Sequence, residues 1–149
     1  MSDINNSSSW YLEWTDELSV FNAKIDAEHQ HFIKLVNELN KAILTNMESD
    51  KIKECMADVL DDAESHFASE ENFFKQWIYP GAEEHAQIHI RIIHALRYFM
   101  TMFGNEDTKY TWKVVGNNIK LLLVDHLLNE DMKYRDFNLK NNQSKFKIQ

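Results

Sequence analysis

The stretch His66–His89, HFASEENFFKQWIYPGAEEHAQIH, decides how the chain folds. Its first half spaces Phe67, Phe74 and Trp77 as a helix does, with His66 and Glu70 four residues apart on one face. Tyr79-Pro80-Gly81 then stops the pattern, because proline cannot continue a helix and glycine allows the turn. The second half restarts it with His85 and His89, again four apart and so on one face. Two helices joined this closely run antiparallel, and their inward side chains meet.

Working outward, the same period predicts four helices, at about 23–45, 50–78, 82–103 and 108–137. The first carries Ile25, His29, Phe32, Val36, Leu39 and Ile43 on one stripe, and the fourth carries Val115, Ile119, Leu122, Leu123, His126 and Met132. TNMESD and GNED mark the other two turns. Short loops dictate an all-α, up-down-up-down antiparallel four-helix bundle. The 149 residues suit a single domain over 1–149. Three glycines and one proline leave little to break long helices or to build a β fold. Ahead of the bundle, residues 1–9 are polar and loose, and WYLEWTDELSVF (10–21) reads as an N-terminal arm that packs Trp10 and Trp14. The polar tail NLKNNQSKFKIQ is expected to fray.

A formal charge of −8 argues against nucleic acid and anionic membranes as partners. The single cysteine, Cys55, excludes an intramolecular disulfide and fits a reducing compartment, where it serves as a small apolar residue. No run approaches the ~18 apolar residues of a membrane span. MSDINNSSS has neither the basic nor the apolar region of a secretory signal, so the cytoplasm is the expected location.

The chemistry lies in the histidines. One imidazole on an apolar stripe is ordinarily a hydrogen-bonded core residue, and a His-x-x-x-Glu pair is ordinarily an ion pair. Here all four stripes carry histidine: His29, His66, the His85–His89 pair and His126. Five buried imidazoles without partners are expensive, and metal ions relieve that cost. Two helices add carboxylates. Spacing leaves Glu70 and Glu71 both open, and after His126 it favours Glu130 over Asp131. With no thiolate, the usual structural zinc sites are excluded. The donors are too many for one ion and fit two octahedral ions sharing carboxylates, with iron or manganese the natural choice. His31 falls off the inward face and is expected at the surface, and His94, also off the ligand face, is expected to be structural or exposed. Asp26 is either a support for a ligand histidine or a helix N-terminal charge.

Four motifs in order, IDAEH (25–29), HFASEE (66–71), HAQIH (85–89) and HLLNED (126–131), with YP ahead of the third, resemble the hemerythrin family, its bacterial members in particular. The resemblance covers residues 14–134 and implies a non-haem di-iron centre. By motif position His85, His89 and His126 hold one iron and His29 and His66 the other. Glu70 and Asp131 bridge both, beside an oxo or hydroxo bridge, and Glu71 drops to a solvated or supporting role. That count fills six positions on the first iron and five on the second, leaving one open for dioxygen. Leu123, three residues before His126, lines the oxygen pocket. The implied function is reversible dioxygen carriage or storage, with one electron from each ferrous ion, and not enzymatic catalysis. The alternatives are oxygen or redox sensing through a protein partner, and iron handling. Di-iron oxygenases use more carboxylates and Glu-x-x-His motifs, so a histidine-rich set favours binding. The chain departs from the family at Phe21, where the arm's SVG usually has glycine, which puts the arm's turn in question. It departs again at Leu122, which replaces a common tryptophan. Tyr134 keeps the aromatic residue three positions after Asp131.

Overall fold

The computed structural model describes residues 11–102 and 109–148. Within them the secondary structure is helical throughout. A short 3-10 turn at Asp16–Leu18 precedes α1 (Ala23–Leu44), α2 (Ser49–Trp77), α3 (Ala82–Met102) and α4 (Lys109–Asp125). A π-helical turn, His126–Glu130, carries α4 into α5 (Asp131–Ile148). Asp125 and Asp131, on either side of it, keep right-handed helical dihedrals, so α4 and α5 form one rod. The expected packing of Trp10, the loose residues 1–9, the GNED turn and the helix ends at 103 and 108 lie outside the described residues.

Side-chain pairs fix the topology. Between α1 and α2, Lys24 meets Ser69 and His31 meets Asp62. Between α2 and α3, Glu64 meets Arg97 and Glu71 meets His89. His85 meets Asp131 and His89 meets His126 across α3 and the fourth rod. That rod closes on α1 where His29 faces Asp131 and Gly116 lies under Asn40. In every case rising numbers on one helix meet falling numbers on the next, so the four rods form an antiparallel up-down-up-down bundle.

The helix ends obey local chemistry. Asn22 caps α1 by accepting the Ile25 amide at 3.0 Å. α1 and α2 both close with a left-handed residue, Asn46 (φ 58°) and Ile78 (φ 53°). The amide of each next residue reaches five residues back, from Met47 to Ala42 and from Tyr79 to Phe74. In the YPG turn, therefore, Ile78 adopts the left-handed conformation, and no described glycine has a positive φ. Gly81 is needed for space instead, since a Cβ there would lie 2.9 Å from the Tyr79 ring. Phe21, the residue in place of the family's glycine, adopts φ 60° and makes the turn itself. The arm is held by polar clamps: the Asn37 amide pairs with both backbone groups of Leu12 at 2.8 Å, and Asp26 accepts from Ser19 Oγ and the Val20 amide. Asp26 thus ties the arm to the start of α1. Trp14 lines a surface cleft with Gln30 and Lys34 of α1.

The tail is helical to Ile148, past the boundary that apolar spacing set at 137. Asn138 extends the inward stripe with a polar residue: it is buried and donates to the Val20 and Phe21 carbonyls. No glycine or proline comes after it to stop the helix.

The apolar core is divided. One cluster, including Phe32, Val36, Val59, Phe67, Leu96 and Leu123, fills most of the bundle. A smaller one, Val20, Ile25, Phe74 and Tyr134, closes the end nearest the arm. On α1, α2 and the fourth rod, the residues between the two clusters are buried histidines and carboxylates. Cys55 is partly buried against the large cluster. No helix among the described residues is long and apolar enough to cross a membrane.

Candidate metal centre

His29, His66, Glu70, His85, His89, His126 and Asp131 converge in that layer, each no more than 4% exposed. α1 supplies His29, α2 supplies His66 and Glu70, and α3 supplies His85 and His89. The fourth rod supplies His126 at the start of the π turn and Asp131 directly after it, and the Asp131 amide bonds the His126 carbonyl. In an α-helix a residue five along faces about 140° away, but one π turn brings it back over the first. His126 and Asp131 therefore share a face, Glu130 turns outward to Lys133, and the reach that spacing assigned to Glu130 belongs to Asp131.

The two carboxylates divide their oxygens. Glu70 Oε1 lies 3.1 Å from His89 Nε2 and 3.6 Å from His85 Nε2, while Oε2 lies 3.2 Å from both His29 Nε2 and His66 Nε2. Asp131 Oδ1 lies 3.1 Å from His85 and His126 Nε2, and Oδ2 lies 3.2 Å from His29 Nε2. Two groups of donors result, one with three imidazoles and one with two. The donor atoms of Glu70, His85, His89 and His126 all lie within 4.8 Å of one another, as do those of His29, His66, Glu70 and Asp131.

These residues fit metal ions. An ion holding nitrogen and oxygen donors at about 2.1 Å sets neighbouring donors roughly 3 Å apart, the spacing seen here. Several converging atoms are close without being aligned for hydrogen bonds: His66 Nε2, His85 Nε2, Glu70 Oε1 and both Asp131 oxygens are buried and unpartnered. Lone pairs aimed at a common point suit a cation and are costly without one.

The electrostatics agree. Burial alone would discharge the imidazoles, yet the Glu70 charge and the Glu28 hydrogen bond push His66 up to about 10. Against the same burial, hydrogen bonds to Asp131 and Glu70 push His85 up to about 9 and raise His29. Burial would raise the Glu70 carboxyl, but the surrounding imidazoles hold it well below its ordinary value. Asp131 is lowered too, with burial and the Glu70 charge outweighed by His126 and His29. Buried imidazoles and carboxylates thus offset one another's charge, a role a dication would take over.

A supporting layer surrounds the donors. Glu28 Oε1 lies 2.8 Å from His66 Nδ1, and Glu71 Oε2 lies 2.7 Å from His89 Nδ1. Both fix which nitrogen of each ring faces inward. Burial would raise the Glu28 carboxyl, but bonds from His66, Lys24 and Ser69 lower it to about 2. The fully buried Tyr134 donates to Glu70 Oε2 at 2.5 Å. Sequence spacing missed the role of Glu28, although its place beside His29 in IDAEH was a signal. It also gave Tyr134 no hydrogen bond. Phe67 stacks on His89 with centroids 3.8 Å apart, and Phe74 meets His85 edge-on at 4.9 Å. Leu123 is buried in the same cluster as Phe67 and Phe32, and Leu122 packs against it. His31 is exposed and pairs with Asp62, and His94 is exposed on α3.

The hemerythrin HHE cation-binding domain model matches residues 20–136. The chain is 28% identical over 126 residues to a bacteriohemerythrin of Stenotrophomonas maltophilia, covering 84% of this chain and 80% of that protein. It is 29% identical over 131 residues to a bacteriohemerythrin of Pseudomonas aeruginosa, covering 85% and 80% respectively. A myohemerythrin of Theromyzon tessulatum is 25% identical over 123 residues, covering 83% of this chain and 90% of its own.

Proposed function

The chain belongs to the hemerythrin family, and from that we propose that it binds dioxygen reversibly at a non-haem di-iron centre, as a carrier or store. The observation that carries this reading is the division of the carboxylate oxygens. Glu70 and Asp131 each turn one oxygen to the three-histidine group and the other to the two-histidine group. Carboxylates placed in this way bridge two ions. His85, His89 and His126 would hold one iron, and His29 and His66 the other, with an oxo or hydroxo bridge between them. Two ferrous ions, when bound, supply the two electrons that reversible dioxygen binding draws on.

The rest of the work falls to the chain. Three imidazoles saturate one side of the centre more fully than two do the other, so the His29–His66 side is the place for an added ligand. Leu123, Phe32 and Phe67 keep water from that layer, and dryness protects a reversible redox state. Tyr134 holds Glu70 Oε2, the oxygen on the two-histidine side. Glu28 and Glu71 keep His66 and His89 oriented. Five imidazoles against two carboxylates favour holding oxygen over activating it. A lone, partly buried Cys55 fits a reducing compartment such as the cytoplasm.

The test is to load the metal-free protein anaerobically with ferrous iron, admit air and monitor the visible charge-transfer band. A stable band that disappears when oxygen is removed supports carriage. Immediate loss to a fully ferric spectrum would sink it in favour of sensing or redox work.

A further inference from the structure

A cleft of about 310 Å³ opens on the α1–α2 face, outside the buried donor layer. Lys24, Glu28, His31, Asp62, Ser65 and His66 line it. At its rim His31 Nδ1 and Asp62 Oδ1 are hydrogen-bonded at 3.1 Å, so an imidazole and a carboxylate already face each other there. The second Asp62 oxygen is buried and has no partner. At the floor, Glu28 Oε1 meets His66 Nδ1 at 2.8 Å, and the other nitrogen of that ring lies 3.2 Å from Glu70. A single imidazole therefore separates the cleft from the centre. The one cation here, Lys24, is engaged by Glu28 at 2.6 Å and Ser69 at 3.1 Å.

We propose that His31 and Asp62 form an uptake port through which a divalent cation reaches the His66 side of the centre. The cation is ferrous iron if the di-iron reading holds, and the port rests on that reading. Imidazole with carboxylate is the donor chemistry of the centre itself and suits first-row dications. Two protein donors with water on the remaining positions bind weakly and release readily, which a transit site requires and a storage site does not. Glu28 is the next carboxylate inward, and a cation arriving there displaces the Lys24 ammonium from it. The cleft between α2 and α3 also reaches the centre, past Glu71 to His89, and Glu64 and His94 line it too, but Glu64 is taken by the Arg97 guanidinium and Phe67, Ile90 and Ile93 make much of the rest apolar. That lining disfavours a hydrated dication.

The test measures uptake of Co2+ by the metal-free, full-length protein under anaerobic conditions, using its ligand-field absorption in a stopped-flow instrument. Asp62→Asn should slow uptake by about tenfold, the low end of electrostatic steering, His31→Ala should slow it by removing a donor, and both should leave the final spectrum and final metal count unchanged. His94→Ala, on the rival cleft, should load at the parent rate. Unchanged rates in both port variants, or a rate lost only in His94→Ala, would overturn the port. The final count reports on the two-ion reading separately, because the rates are compared whatever that count is. His31 is exposed and Asp62 is partly so, and matching circular dichroism of the variants and the parent checks that the fold is kept.

Discussion

His66 with Glu70 and His126 with Asp131 do the same work on opposite sides of the centre by different backbone means. On α2 the pair is four residues apart in an unbroken helix, and the acid is the longer glutamate. On the fourth rod the pair is five apart across a π turn, and the acid is the shorter aspartate. The π turn adds a residue without rotating the remainder of the rod, so Tyr134 and Asn138 still face inward beyond it. A site can thus recruit an off-register side chain by distorting the helix locally, and π turns inside α-helices concentrate at functional positions for this reason.

The strongest way to break the comparison is to remove either shared carboxylate. Asp131→Ala or Glu70→Ala should abolish binding of both ions and cost the metal-free fold about 3–5 kcal/mol, because buried imidazoles lose their counter-charges. Glu130→Ala and Glu71→Ala, one residue away in each case, should still bind two ions by elemental analysis. If Glu130→Ala loses metal and Asp131→Ala does not, the π-turn assignment is wrong.

A sharper test shortens the turn. Deleting Asn129 should restore α geometry, set Asp131 four residues from His126 and leave its carboxylate one methylene short, so the ions are lost. Adding Asp131→Glu should rescue binding by copying the α2 pair. No rescue, despite helical circular dichroism matching the parent, would show that the π turn has another role.

Protonation gives a third contrast. His66 and His85 are raised to about 10 and about 9 in the metal-free state. Their contribution to stability is fully present below the ordinary imidazole value and is lost as pH rises through 9 to 10. Urea unfolding should therefore show the metal-free protein weakening from pH 7 to pH 10. Metal uptake near pH 7.5 should release protons, seen as a dependence of the binding heat on the buffer. A heat independent of buffer would argue that the rings are already neutral.

Smaller effects are expected at Tyr134 and Ile78. Tyr134→Phe removes a hydrogen bond to a charged group and should cost about 1.5–3 kcal/mol in thermal or urea unfolding. Ile78→Gly should add about 1 kcal/mol, since an exposed β-branched residue is held there in a left-handed conformation, with no change in metal content. The Ile78 result, set beside the Asn129 deletion, would separate a backbone distortion serving the site from one serving only a turn.

The bundle was legible because its stripes keep the 3.6-residue period, and the layer of histidines was legible because it interrupts all four stripes. The features that helical spacing alone could not supply, the motif resemblance aside, depend on partners from elsewhere in the fold. Glu70 and Glu71 are adjacent and alike in chemistry, yet Glu70 is buried at the centre and Glu71, partly exposed, meets the outer nitrogen of His89. Asp131 needs a π turn that no residue in HLLNED announces. Asn138 is polar in sequence yet buried, because carbonyls more than a hundred residues away accept from it. Phe21 and Ile78 hold conformations ordinarily left to glycine; the resemblance put the turn at Phe21 in question, and only the backbone reveals Ile78.

The central claim is that Glu70 and Asp131 join two ions in one centre. Mössbauer spectroscopy on protein loaded with iron-57 and oxidised in air tests it directly. Two irons per chain, magnetically coupled into a diamagnetic ground state, is the result expected. One iron per chain, or two behaving as isolated high-spin ferric ions, would contradict it.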